Sequence, residues 1–301
     1  MWTGVHAKET GLWDNTNFAW ISELSSEVPT IGHLLRDQGY YTAFKGKWHL
    51  SEVPRSEDGL ERYGFADYQQ WGEMFGAPLT EMAKHFKVIA IHARGHGFSK
   101  DTNAPWSLAQ AADDVAAVLK QLKINKASVM GYSFGAAIAV QFAIRHPDML
   151  DRLVVVSVAY ARAGEYPEMQ AAFEQMPAMA DTIGGEIAKS PLAKTYPGVD
   201  WPTLMRKTGE LNRQDYDWSA GIRGIKARTL LVFADADAIR PEHIAQFYKL
   251  LGGGQRDAGF DGSLRSPNEL AIVPGTTHYN LMRSPFVIQF ATAFLQQVSG
   301  P

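Results

Sequence analysis

One serine in this chain lies between two glycines, in the stretch GYSFG at residues 131–135. An apolar run predicted as a strand, residues 127–130, comes just before it, and a helical pattern follows it. A G-x-S-x-G pattern at such a junction is typical of a nucleophilic serine, because the glycines permit a tight turn that exposes the hydroxyl. The N-terminus of the following helix would favour developing negative charge. Ser133 is therefore the candidate nucleophile.

A serine hydroxyl is a weak nucleophile, so a base must take its proton and a third group must orient that base. Where the serine follows a strand in this way, the acid and then the histidine are expected in loops after later strands. Asp237 follows the apolar run 229–233, and His278 follows the run 270–273. Asp235 is the alternative acid. Asp237 is favoured, because the strand must end before the loop can turn toward the histidine.

The elements that must position these residues are short apolar runs alternating with helical patterns from residue 86 onward. Strands separated by helices, each apolar throughout, predict an α/β fold with a mostly parallel sheet and helices on both faces. The predicted strands are residues 87–91, 127–130, 152–158, 229–233 and 270–273, and the main helices are predicted at 107–122, after Ser133 and from Ser284 onward.

The strand pattern stops between residues 159 and 219, where the sequence predicts short helices broken by proline and glycine. An insertion between parallel strands lies at the carboxyl edge of the sheet, where ligands bind. We interpret these residues as a helical cap over a pocket. The predicted organisation is thus an N-terminal segment at 1–73, a core at 74–158 and 220–301, and the cap between the two parts of the core.

Composition excludes several classes of protein. The 301 residues carry a formal net charge of −3, which gives no long-range attraction for nucleic acid or an anionic membrane. Without cysteine there is no disulfide, thiolate nucleophile or Cys-ligated zinc. No stretch has the length of a membrane span, and no signal-peptide pattern opens the chain. We expect a cytoplasmic protein that acts on a small molecule.

From about residue 74 to the end, the chain resembles the α/β-hydrolase superfamily, in the branch with a helical cap. The stretches that carry the resemblance are HFKVIAIHARGHGFS, VMGYSFGAAIAVQFAIRHPDMLDRLVVVS, LLVFADADAIRPEHI and AIVPGTTHY. The resemblance implies Ser133 as nucleophile, His278 as base and Asp237 as orienting acid, with the backbone N–H of Phe134 as one oxyanion-hole donor.

It also implies an esterase acting on carboxylic esters of small to medium acyl chains, with no organic cofactor and no metal. The same triad could serve as a perhydrolase, a lactonase or a C–C hydrolase, or survive in a folded but catalytically weak or inactive chimera. Dehalogenases and epoxide hydrolases of this superfamily use Asp where Ser133 stands.

Residues 1–72 resemble a piece of a sulfatase, most specifically in PTIGHLLRDQGYYTAFKGKWHLS. The resemblance matches Lys47 and His49 to residues that help bind sulfate. The metal-binding Asp residues and the formylglycine precursor of that family have no counterpart here, so we expect no sulfatase activity. The chain is interpreted as a fusion of two truncated genes.

The family carries three more strands before residues 87–91, and the last ends in a His-Gly loop that supplies the second oxyanion donor. That stretch is absent from this sequence. A parallel sheet without a central strand would leave buried backbone groups unpaired, at about 1–3 kcal/mol each. We expect residues 40–46 to pair into the sheet, with N–H groups near Gly46 and Lys47 replacing the lost donor. The alternative is a homodimer through strand exchange or edge pairing.

Overall fold

Two units make up the chain, residues 1–84 and 85–301. The computed structural model describes Thr30, His33 and residues 43–45, 67–69 and 76–297. In the first unit, β1 (Ala43–Lys45) pairs in parallel with β2 (Asp67–Gln69), and α1 (Gly76–Ala83) follows.

This pairing differs from the expectation for residues 40–46, because their described part, residues 43–45, joins β2 in a two-stranded sheet of its own. A partner close in sequence costs less loop-closure entropy than one more distant along the chain. Gly46, Lys47 and His49 lie outside the described residues.

The second unit is built on four parallel strands, β3 (Ala127–Tyr132), β4 (Leu150–Val156), β5 (Arg228–Ala236) and β6 (Glu269–Thr277). Their order in the sheet is their order in the chain. The pairings Gly131 to Val155, Val155 to Leu231 and Leu231 to Leu270 align the four strands in one row. The predicted α/β fold with a mostly parallel sheet is confirmed, and all four carboxyl ends lie along one edge.

Helices connect and cover these strands. Ser107 caps the first of them by accepting a hydrogen bond from the Gln110 N–H, and prolines occupy the first turns of several others. The helices of this unit are α2 (Leu108–Gln121), α3 (Phe134–Arg145), α4 (Pro167–Ala188), α5 (Pro191–Thr195), α6 (Trp201–Asn212), α7 (Ser219–Arg223), α8 (Pro241–Leu250) and α9 (Pro285–Gln296). Large side chains from helices and strands fill the core, among them Phe142, Phe233, Phe247 and Phe294.

Residues 87–91 do not form the strand that their apolar run predicts. They make no ladder with any described strand, and Ile91 is 38% exposed. A buried strand needs a neighbour that pairs its backbone groups. The family resemblance implies a central strand as that neighbour, and among the described residues no strand pairs with this run.

The cap region also differs from its prediction in one respect. α4 continues through Pro177 as a single helix of 22 residues, rather than breaking there. A side chain at Gly209 of α6 would lie 2.5 Å from the Pro177 ring, so the ring occupies space that this glycine leaves open. Packing of α4 on α6 therefore offsets the local cost of the proline.

Candidate active site

Each of the four parallel strands places one polar residue at the carboxyl edge of the sheet. Ser133 follows β3, Ser157 follows β4, Asp237 follows β5 and His278 follows β6, in each case directly after the last strand residue. Since neighbouring parallel strands end side by side, these four side chains converge. The first, third and fourth are the residues that the sequence analysis proposed.

Ser133 stands at a sharp turn between β3 and α3. Its φ of 51° and ψ of −117° are strained for a residue with a side chain, and its N–H donates to the Val156 carbonyl at 2.9 Å. Gly131 makes the turn possible, because a Cβ there would lie 2.1 Å from the Gly135 carbonyl oxygen. Gly135 was expected to allow a close approach as well, but a Cβ there would meet nothing within 4 Å.

The imidazole of His278 lies between the serine and the acid. Its Nε2 is 3.0 Å from the Ser133 Oγ, and its Nδ1 is 3.2 Å from Asp237 Oδ1. The Tyr132 hydroxyl donates to the His278 backbone carbonyl, which holds the loop in place. With Nδ1 protonated and facing the carboxylate, Nε2 is free to accept the serine proton.

Asp237 is held by several donors in a buried position, with 1% of its side chain exposed. Burial alone would raise the pKa of this carboxyl. The hydrogen bonds from His278, from the Ala234 N–H at 3.0 Å and from the Ser157 hydroxyl outweigh burial and keep the pKa of Asp237 below its usual value. The carboxyl is therefore ionised at neutral pH, as an orienting acid must be.

Ser157 is the residue that the sequence analysis missed. It is fully buried, has a φ of 53°, and its Oγ lies 2.7 Å from Asp237 Oδ1 and 2.7 Å from His278 Nδ1. The prediction had placed it inside a strand at 152–158, whereas β4 ends at Val156. No local signal in the sequence marks it, because Val158 and Ala159 continue the apolar run beyond Ser157.

Asp235, the alternative acid, lies elsewhere in the site. It accepts hydrogen bonds from the N–H groups of Gly275 and Thr276, both at 3.0 Å, and these bonds lower its pKa. These contacts tie β5 to the segment that leads into His278. The structure thus brings Asp237 to the imidazole and gives Asp235 a role in holding the histidine loop.

Phe134 is the first residue of α3, where a backbone N–H has no acceptor within the helix. Its N–H is the proposed oxyanion donor. The Phe134 ring stacks on His96, with 5.5 Å between ring centroids, and lies 6.2 Å from the Trp106 ring. These rings cover the helix end beside the nucleophile.

The helices predicted as a cap, α4 to α6, are preceded by a segment that lies next to the loop after Asp237. The Tyr166 N–H donates to the Ala238 carbonyl at 3.1 Å, and the Arg240 N–H donates to the Gly164 carbonyl at 2.9 Å. Between them lies Glu165, a buried carboxyl whose pKa is raised by burial, against the effect of the 2.9 Å hydrogen bond from the Tyr216 hydroxyl. The segment that leads into the cap therefore packs on the loop that follows Asp237.

Within the described ranges, no group of three or more His, Asp and Glu side chains is arranged to hold a metal ion. None of the helices described for this chain combines the length and apolarity needed to span a membrane.

Comparison with known proteins agrees with both family resemblances found in the sequence. Residues 64–195 match the alpha/beta hydrolase fold family, and residues 1–85 match the sulfatase family. An uncharacterized protein of Mycobacterium tuberculosis is 30% identical over 144 residues, covering 44% of this chain and 42% of that protein. The chain thus spans less than half the length of that relative.

A wider match is the 2-(acetamidomethylene)succinate hydrolase of Mesorhizobium japonicum, 24% identical over 68% of this chain and 77% of that protein. Among solved structures, a thermophilic esterase from Thermogutta terrifontis superimposes with a TM-score of 0.56 at 18% identity, covering 74% of this chain and 84% of that one. At that identity the likeness concerns the fold alone. The sequence is thus similar to the alpha/beta hydrolase fold family over residues 64–195 and to the sulfatase family over residues 1–85, and the second unit shares the alpha/beta hydrolase fold with that solved structure.

Proposed function

We propose that this protein is a serine hydrolase that cleaves carboxylic esters of small to medium acyl chains through an acyl-enzyme on Ser133. The observation that carries the proposal is the continuous contact from Ser133 Oγ to His278 Nε2, at 3.0 Å, and from His278 Nδ1 to Asp237, at 3.2 Å. A nucleophile, its base and the acid that orients the base are the parts that acyl transfer requires.

The reaction follows from these positions. Ser133 Oγ attacks the ester carbonyl carbon while His278 Nε2 takes the hydroxyl proton, and the carbonyl electrons move to the oxygen. The resulting oxyanion accepts a hydrogen bond from the Phe134 N–H. When the tetrahedral intermediate collapses, the imidazolium gives its proton to the departing alkoxide, which leaves as an alcohol. Water then attacks the acyl-enzyme by the same route and releases the acid.

The Ser–His–Asp arrangement specifies attack on a carbonyl but does not select the leaving group, and the family includes enzymes of other specificity. The wide match to a 2-(acetamidomethylene)succinate hydrolase supports the coarser function of hydrolase. Ester specificity is the finer proposal. It is supported by the Ser133, His278 and Asp237 contacts together with the Phe134 N–H, which supply the nucleophile, its base and one oxyanion donor for an ester carbonyl.

The test is hydrolysis of p-nitrophenyl esters from acetate to decanoate by the wild type, Ser133→Ala and Ser128→Ala. Ser128 is a matched control, because it lies on β3, the strand that Ser133 follows, and its exposed hydroxyl contacts Asp151 instead of the site. We expect Ser133→Ala to lose at least about 10³-fold in kcat, and Ser128→Ala to retain wild-type turnover.

Labelling with a fluorophosphonate gives a second readout that does not depend on the acyl chain. The wild type should gain one phosphonyl group on Ser133, as located by peptide mass spectrometry. Ester turnover that persists in Ser133→Ala, or a wild type that neither turns over esters nor takes the label, would contradict the proposal.

A further inference from the structure

We propose that Ser157 is a positioning residue of this site, whose hydroxyl bridges His278 Nδ1 and the Asp237 carboxylate. The inference rests on the proposed function and adds a fourth side chain to it. Ser157 Oγ lies 2.7 Å from His278 Nδ1 and 2.7 Å and 2.8 Å from the two carboxylate oxygens of Asp237. The serine therefore contacts both members of the pair that it joins.

The protons at this junction can be assigned from what each group is able to donate. An ionised carboxylate only accepts hydrogen bonds, so the single Ser157 hydroxyl proton points to Asp237. The Oγ lone pairs then face the imidazole and accept from Nδ1–H. The distance from Nδ1 to this oxygen, 2.7 Å, is shorter than the 3.2 Å to Asp237 Oδ1. Nδ1–H is thus shared, and the serine oxygen is its closer acceptor.

This arrangement has a consequence for the base. Two acceptors at Nδ1 keep the proton on that nitrogen and leave the lone pair on Nε2, the nitrogen that faces Ser133. They also fix the ring plane from one side. When the imidazole takes the proton of Ser133, the Ser157 hydroxyl presents its oxygen to the new positive charge and continues to donate its hydrogen bond to the carboxylate.

The backbone at Ser157 is costly, which argues against a serine that merely fills space. Its φ of 53° is a conformation that glycine adopts at lower cost, and the residue is fully buried. In the part of the chain that the structure describes, the hydroxyl contacts only His278 and Asp237.

The test compares Ser157→Ala and Ser157→Gly with the wild type and with Ser128→Ala. Both variants at 157 lack the hydroxyl, and they differ in backbone preference. Ser128→Ala also removes a serine hydroxyl that contacts an Asp on the neighbouring strand, but far from the imidazole. We expect kcat to fall about 10- to 100-fold in both variants at 157, with KM little changed, and to stay constant in the control.

Proton NMR detects the hydrogen bond between His278 Nδ1–H and Ser157 directly, and it does not require the protein to turn over a substrate. With the signal assigned by its loss in His278→Gln, the Nδ1–H resonance should lie at low field in the wild type and in Ser128→Ala. In Ser157→Ala it should move upfield and exchange faster with water. If the wild type hydrolyses no ester, the proposed function fails and this signal still decides on the bridge. An unchanged Nδ1–H signal in a folded Ser157→Ala protein, or unchanged kcat in an active one, would overturn the inference.

Discussion

Ser133 and Ser157 directly follow neighbouring parallel strands with similar positive φ angles, but they face opposite nitrogens of one imidazole. Their φ angles are 51° and 53°, and each N–H donates at 2.9 Å to the next strand, to Val156 and Val232 respectively. Ser133 meets His278 Nε2 and Ser157 meets Nδ1. A positive φ and a hydrogen bond from N–H to the next strand thus recur at two adjacent strand ends.

The residues around the two serines differ, and so does the exposure of the two hydroxyls. Gly131 and Gly135 flank Ser133, and α3 begins directly after it, so the hydroxyl is only partly buried at a helix N-terminus. Val155 and Ala159 flank Ser157, and both are buried. The hydroxyl of Ser133 is therefore partly open on one side of the imidazole, and that of Ser157 is enclosed on the other.

Gly131→Ala should have the largest effect of the changes that test this comparison. The new Cβ would lie 2.1 Å from the Gly135 carbonyl oxygen, and backbone on both sides of Ser133 would have to move. We expect at least about 3 kcal/mol of lost unfolding free energy and at least about 10²-fold lower kcat/KM. Urea denaturation and ester kinetics measure these two quantities.

Gly135→Ala is the matched control for that change, since nothing lies within 4 Å of the added methyl group. It should leave the unfolding free energy within about 0.5 kcal/mol of the wild type. If the two alanine variants lost equal stability, close approach at Gly131 would not be what distinguishes the turn at Ser133.

Replacing each serine by alanine and by glycine should have an intermediate effect, and it tests whether the two positions carry the same backbone strain. If both turns are strained, glycine should be more stable than alanine at each position by about 1–2 kcal/mol, because glycine tolerates positive φ. The measurement is the difference in unfolding free energy within each pair. A preference for alanine at either position would mean that the two turns are not equivalent in energy.

Glu165→Gln should have the smallest effect, and it tests how hydrogen-bond donors set the protonation state of a buried carboxyl. Burial raises the pKa of Glu165, whereas hydrogen bonds hold the pKa of Asp237 down. The folded protein therefore binds a proton at Glu165 more tightly than the unfolded chain, and this contribution to stability is lost as pH rises above about 4.

The glutamine variant should thus gain unfolding free energy relative to the wild type as the pH rises from 4 to 7, because glutamine does not ionise. Denaturation series at pH 4 and pH 7 measure the gap in unfolding free energy between the variant and the wild type. A gap that is the same at both values would show that ionisation of Glu165 does not influence stability.

The sequence predicted the second unit's fold because its signals are local. Buried parallel strands read as continuous apolar runs, and the runs at β3, β4, β5 and β6 were each found. Residues 87–91 carry the same kind of run but form no strand, because a strand also depends on a neighbour. A local pattern cannot show whether that neighbour exists.

For the candidate site, too, the sequence predicted what local patterns carry and missed what depends on strand pairing. Ser133, Asp237 and His278 were proposed from motif and chain order, and the structure brings them together. The choice between Asp235 and Asp237 depended on where β5 ends, and β5 continues through Ala236. Ser157 was missed because its contacts come from strand register, which no single segment contains.

Ser133 and His278 are 145 residues apart along the chain, although their side chains touch. The contact requires four parallel strands, each joined to the next by a crossover, to be in register at once. Such long-range pairings form late and slowly in folding. On dilution from denaturant, helix signal should therefore return first, and competence to react with a fluorophosphonate should return last. The rate at which reactivity at Ser133 returns would therefore report when the sheet is complete.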